Sequence, residues 1–299
     1  MIPVIDWSRY GAAPDVVAAE IGLAFRETGF ATLVGHGVPE EVMAAAYDAA
    51  DGFFALPAAE KARIAIDITN RGWAATGTER LDETSGEVDA KEAFNVGWDL
   101  PPNDPRIIGG EPFRAVNRWP DLQGFRDAAL GYFDAAHRLG VSVQSAIARD
   151  LALPPDYFDG HFDAPMATLR FLKYPAGDGG IGAGAHSDYG SITLLSTDGE
   201  AGLQVLGKDG EWLDVPFQPG ALIVNIGDCL MRWSNDLYVS TKHRVLRPKR
   251  VRRSIAFFLD PNPDSVISAL PGTGAAKYPP ISAAEYLRSR LDATYEVPA

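Results

Sequence analysis

Ala167-Thr168-Leu169-Arg170-Phe171-Leu172-Lys173-Tyr174 is an apolar run of strand length that begins just after Pro165. Similar short runs recur at 191–196, 202–206, 211–215, 221–226, 229–233, 243–247 and 253–259. Turn residues separate them, among them Asp209-Gly210, Pro219-Gly220 and Gly227-Asp228. About eight strands at regular spacing point to a β-sandwich or jelly-roll barrel. Upstream of this block, helical spacing of Phe125, Ala129, Phe133, Ala136, Val143 and Ile147 predicts a long helix from about Leu122 to Leu151, braced against a sheet. Gly140 interrupts it and is expected to bend or break it.

The first 118 residues read differently. Residues 2–6 form a short strand, about Pro14 to Thr28 a helix, Phe30–Val34 a strand and about Pro39 to Phe54 a second helix. Residues 66–118 are rich in Gly, Asp, Asn and Pro, which predicts long loops with short strands such as Ala93–Gly97. The expected division is an N-terminal α/β region over 1–118, followed by the bracing helix and a β-rich core over 119–299. The fold class is therefore mainly β with flanking helices.

Composition narrows the function. The 299 residues allow one large domain, and 46% apolar with 22% charged residues describes a soluble globular protein. A net charge of -13 disfavours nucleic acid and anionic membrane surfaces as partners. Cys229 is the only cysteine, so no intramolecular disulfide can form, which fits a reducing compartment. It reads as a buried small apolar residue. The opening Met1-Ile2-Pro3-Val4-Ile5-Asp6 has no basic region and no long apolar stretch, unlike a signal peptide. The run Ala221–Ile226 is too short to span a bilayer. The expectation is a cytoplasmic protein acting on a small molecule. It is expected to be a monomer, because no heptad or exposed apolar stripe calls for a partner.

Chemistry concentrates in the β-rich half. His186-Ser187-Asp188 places two metal-ligand types at i and i+2, on one face of an extended segment. His243 opens a later apolar run and would approach from across the barrel. Two imidazoles and a carboxylate form the ligand set of a non-haem Fe(II) oxygenase, with part of the coordination sphere left open. Nine positions on, Arg252 and Ser254 share one strand face, and Arg253 takes the other. A guanidinium fork matches a carboxylate bidentately, and a hydroxyl adds one donor. Iron, dioxygen and an organic-acid co-substrate follow. The other histidines read as structural: His36 in the turn Gly35-His36-Gly37, His137 on the helix surface, and His161, whose His-x-Asp with Asp163 has no anchor at a matching distance. Lys249 and Arg250 read as an exposed turn rather than a nucleic-acid patch.

These residues also carry a resemblance. Ile2–Asp6, Gly35–Val38, His186–Leu195, Gly202–Val205, Asn225–Asp228, Trp233–Asn235 and His243–Val245 follow one another as in the isopenicillin N synthase-like group of 2-oxoglutarate and Fe(II)-dependent dioxygenases. The resemblance spans nearly the whole chain. It implies a double-stranded β-helix core, with His186, Asp188 and His243 as iron ligands. It further implies that Arg252 and Ser254 bind the distal carboxylate of 2-oxoglutarate. Tyr174 stands where the family's Asn-x-Tyr has its tyrosine, but Leu172 replaces the asparagine. The expected reaction is hydroxylation, desaturation or ring closure of a small molecule, with release of succinate and CO2.

Some relatives use no 2-oxoglutarate; they draw electrons from substrate or ascorbate, with the Arg-Ser pair on a substrate carboxylate. A non-catalytic metal-binding module and a zinc hydrolase remain as readings from other classes. Arg71, Phe94, Asn95, Phe171 and Trp233 are candidates for the substrate wall. Leu194, Leu203 and Phe258 read as core, although core residues can also line the co-substrate slot.

Overall fold

The computed structural model describes residues 1–82 and 88–295. Its elements in chain order are β1 (Val4–Asp6), α1 (Pro14–Glu27), β2 (Phe30–Val34), α2 (Glu40–Ala55), α3 (Ala58–Ala62), β3 (Gly72–Ala74), β4 (Glu92–Gly97), α4 (Pro105–Ile108) and α5 (Phe125–Asp150). The β-rich half then runs β5 (Thr168–Tyr174), β6 (Ile181–His186), β7 (Ile192–Thr197), β8 (Leu203–Leu206), β9 (Trp212–Asp214) and β10 (Leu222–Ile226). It closes with α6 (Asp228–Trp233), β11 (His243–Leu246), β12 (Arg252–Leu259), β13 (Val266–Ile267), β14 (Ile281–Ser282) and α7 (Ala283–Tyr295).

Two sheets face each other as in a jelly roll. The larger has the order β1-β2-β10-β7-β12-β5-β4-β3, and the smaller β6-β11-β8-β9. Strands from the N-terminal region thus extend both edges of the larger sheet. Period-two alternation gives that sheet two unlike faces. Phe94, Leu169, Phe171, Leu194, Val224, Ile255 and Phe257 join the main core, in which α1, α2 and α5 bury their apolar faces. Leu172, Tyr174, Ile223 and Ala256 lie on the opposite face, in a smaller cluster with Leu203, Val205 and Val245 of the small sheet. Helices therefore brace one face, and the other looks into the barrel.

Three local expectations are corrected, and a fourth case is a strand that the sequence does not predict. The helix α5 runs unbroken through Gly140. A Cβ there would lie 2.8 Å from Leu259 Cδ2, so the glycine lets helix and sheet approach closely. Residues 229–233 are helical rather than a strand, because five apolar residues do not by themselves distinguish the two. The Asp228 amide donates to Asp188 O (2.7 Å) and fixes the start of that turn. A Cβ on Gly227 would come within 2.2 Å of Gly190 O, so only glycine allows the approach. His137 is partly buried rather than on the surface: its Nε2 lies 3.0 Å from Phe162 O, and its ring meets the Trp98 edge. The fourth case is β6, in which Gly182 and Gly184 leave no strand pattern for a sequence reading to find.

Candidate metal centre and co-substrate cavity

Strand pairing brings the three candidate ligands together. β11 runs antiparallel to β6 with His243 directly opposite His186. The ring centroids stand 4.3 Å apart, and Phe30 packs its ring against His243. Asp188 follows two residues past His186, and one ligand atom from each of the three lies within 4.8 Å of the others. Nε2 of His186 and of His243 stand 3.9 and 3.7 Å from Asp188 Oδ1. Those spacings are too long for hydrogen bonds and suit three donors around one ion.

The surrounding bonds orient all three groups. His186 Nδ1–H donates to Gly184 O (2.6 Å), and His243 Nδ1–H to Thr241 O (3.3 Å). Each bond selects the tautomer whose Nε2 lone pair faces the centre. Asp188 Oδ2 accepts from Asn225 Nδ2 (2.7 Å) and from Thr193 Oγ1, which leaves Oδ1 for the ion. Burial, then the charge of His243, holds the His186 imidazole well below its usual range, so it is neutral and able to ligate. Burial pushes the Asp188 carboxyl up, but the two imidazoles and the Asn225 and Thr193 bonds outweigh it and leave the group below its usual range. Replacing Asn225 with Ala should lower metal affinity by roughly 10- to 100-fold, with a titration of the apo protein as the check. Unchanged affinity would mean that Asp188 needs no such support.

A cavity of about 670 Å³ opens from this centre between the two sheets. Arg252, Ser254 and Tyr174 line one part of it. Arg252 is 1% exposed, and no carboxylate lies within ion-pair range of it among the described residues. Its guanidinium donates only to Glu200 O and Ser254 Oγ, both at 3.3 Å, and lies 5.0 Å from the centroid of the Tyr174 ring. The Glu200 carboxylate is taken by Arg250 instead. A buried cation without a counter-ion is costly, so this corner suits a bound carboxylate. Arg253 points the other way, to Asp198 and Asp51.

The other sequence candidates divide. Arg71 and Asn95 line the cavity, and Arg71 is buried. Phe94 and Phe171 lie in the helix-braced core, and Trp233 packs on Phe158, His161 and Phe162. Leu194 lies in the main core and Leu203 in the smaller cluster, with Phe258 packed against it, as expected; Leu203 and Phe258 also line the cavity. His36 bonds Gly220 O and the Val38 amide. His161 lies 3.0 Å from Ser265 Oγ through Nδ1. Sequence reading assigns no role to Asn225, Thr193 or Asp260. The Asp260 carboxyl lines the cavity, and burial together with the charge of Asp188 pushes it up to about 7.

Comparison with known proteins agrees with this geometry. Residues 157–261 match the family model described as 2OG-Fe(II) oxygenase superfamily. Residues 2–122 match the one described as non-haem dioxygenase in morphine synthesis N-terminal. The 2-oxoglutarate-Fe(II) type oxidoreductase hxnY of Emericella nidulans is 35% identical over 98% of this chain and 90% of its own. The chain belongs to the 2OG-Fe(II) oxygenase superfamily. Among solved structures, a full-length Neurospora crassa protein in complex with alpha-KG superposes with a TM-score of 0.88 at 34% identity, over 98% of this chain and 96% of that one. JOX2 in complex with 2OG, Fe and JA gives 0.81 at 30% identity, over 97% and 84%. This 2OG-Fe(II) oxygenase is accordingly a 2-oxoglutarate-dependent dioxygenase that uses iron and dioxygen. Among the described residues, no helix is long and apolar enough to cross a membrane.

Proposed function

We propose that His186, Asp188 and His243 hold the iron of this oxygenase, and that Arg252, Ser254 and Tyr174 hold the distal carboxylate of 2-oxoglutarate. The observation that carries this reading is the uncompensated Arg252 guanidinium in the same cavity as the three converging ligand atoms. Iron with 2-oxoglutarate supplies a two-electron oxidant, because decarboxylation to succinate and CO2 provides the other two electrons that dioxygen needs. The residues bind and orient. Asn225 and Thr193 fix the Asp188 carboxylate, the Gly184 and Thr241 carbonyls fix the imidazoles, and Tyr174 and Ser254 fix the Arg252 fork. The apolar walls from Leu172, Leu203, Val245 and Ala256 keep water from the reacting groups.

The prime substrate is a small molecule, oxidised at carbon by hydroxylation, desaturation or ring closure. The working unit is a monomer. A lone, buried Cys229 is in keeping with a cytoplasmic location.

The test is oxygen uptake and succinate formation by anaerobically iron-loaded protein with 2-oxoglutarate alone. Slow turnover is expected, and it should vanish in Asp188→Ala. Turnover that persists in that variant would remove Asp188 from the ligand set. Iron-loaded protein that neither binds nor decarboxylates 2-oxoglutarate would overturn the assignment of Arg252.

A further inference from the structure

Three arginines among the described residues are buried: Arg71, Arg114 and Arg252. Arg114 has a carboxylate, Glu111, at 2.7 Å. Among the described residues Arg71 and Arg252 have none within ion-pair range, and both line the same cavity. Arg71 is 4% exposed. It donates to three backbone carbonyls, Thr69 O and Asn70 O at 3.2 Å and Phe113 O at 3.3 Å, and its Nε has no partner. Carbonyl dipoles do not neutralise a cation. Asp67, the acidic group that acts on Arg71, is bonded to Thr69 and paired with Arg118.

The position of Arg71 separates it from the co-substrate corner. Its head group lies against Gly97, where a Cβ would stand 1.9 Å from Arg71 Cζ. Gly97 shares a face of β4 with Asn95, which lines the cavity. Arg71 precedes Gly72, and strand pairing runs from Gly72 through Asn95 and Arg170 to Ala256. That row lies four residues along β12 from Arg252 and three strands across, or roughly 13 Å and 14 Å from strand geometry. One short dicarboxylate cannot meet both arginines.

We propose that Arg71 anchors the carboxylate of the prime substrate, a small acid with an apolar body. This rests on the reading of the site given above. Leu81, Phe113, Met166 and Phe258 supply apolar wall for that body. Asn70 and Asn95, joined by a 2.9 Å hydrogen bond, flank the anchor, and Asn95 Oδ1 is without a partner.

The test uses calorimetric titration of protein loaded with Mn(II) and 2-oxoglutarate, so that no turnover occurs. Octanoate, phenylacetate and cinnamate are compared with their primary amides. At least one acid should bind roughly tenfold or more tighter than its amide, as one charge-assisted bond implies. Arg71→Gln should remove the difference and Arg71→Lys should retain part of it. Gly97→Ala, which displaces the guanidinium while keeping Arg71, should weaken the acid. Equal binding of acids and amides, an acid preference that survives Arg71→Gln, or no acid bound at all would each overturn the proposal. Loss of 2-oxoglutarate binding from the unaltered protein would count against the site assignment instead, so the two failures are distinct.

Discussion

His186→Ala is expected to leave a folded protein that retains no iron and forms no succinate. The imidazole supplies one of three converging donors, and its Nδ1 bond to Gly184 O aims the other nitrogen at the centre. Removing a donor should cost more than the roughly 10- to 100-fold attributed to the loss of an orienting partner. The fold should tolerate the change. His186 ends β6 beside the cavity rather than inside the helix-braced core, and the three candidate ligands are polar groups gathered in one place. Urea unfolding of the apo variant should therefore match the apo parent closely, while metal analysis separates the two. A variant that keeps stoichiometric iron would take His186 out of the ligand set. A variant that loses iron because it is unfolded would show it in the urea curve.

Arg252→Ala is expected to raise the apparent KM for 2-oxoglutarate by about ten- to more than a hundredfold, from the loss of about 1.5–3 kcal/mol of charge-assisted bonding. Arg253→Ala should leave that KM unchanged. The contrast comes from one strand: Arg252 is 1% exposed and faces the cavity, whereas Arg253 pairs with Asp198 and Asp51 at the surface. A half-exposed pair of that kind contributes about 0–1 kcal/mol to stability. Initial rates against 2-oxoglutarate concentration decide the matter. Equal effects from the two substitutions would contradict the alternation on which the co-substrate corner is built. In the apo protein Arg252→Ala removes a buried charge that has no counter-ion, so its main effect should be on binding rather than on stability.

Much of this centre is legible in the residue order because it obeys a period of two. Arg252 and Ser254 share a strand face and meet in the cavity as their spacing predicts, while Asp188, two residues past the end of β6, converges with His186 in the same cavity. The same rule, applied further, corrects the substrate wall. Phe171 is three residues from Tyr174 and Phe94 is one from Asn95, so neither can share a face with its neighbour. Both phenylalanines lie in the core that α5 covers. The β6 strand is hidden in the sequence because Gly182 and Gly184 carry no side-chain pattern. The α6 turn reads as a strand because apolar runs of five residues look alike in either state.

Residue identity and short-range periodicity account for the candidate ligand types, the same-face pair Arg252 and Ser254, the family and the mainly β architecture, and all of these can be read along the chain. Which groups meet over long separations is a matter of tertiary structure. Antiparallel pairing sets His243 opposite His186, and the packing places Asn225 and Thr193 behind Asp188. It also leaves Arg71 and Arg252 without carboxylate partners among the described residues, at two ends of one cavity. Strand register, and the burial that follows from it, sets those relations, and neither depends on residues that are adjacent in the chain.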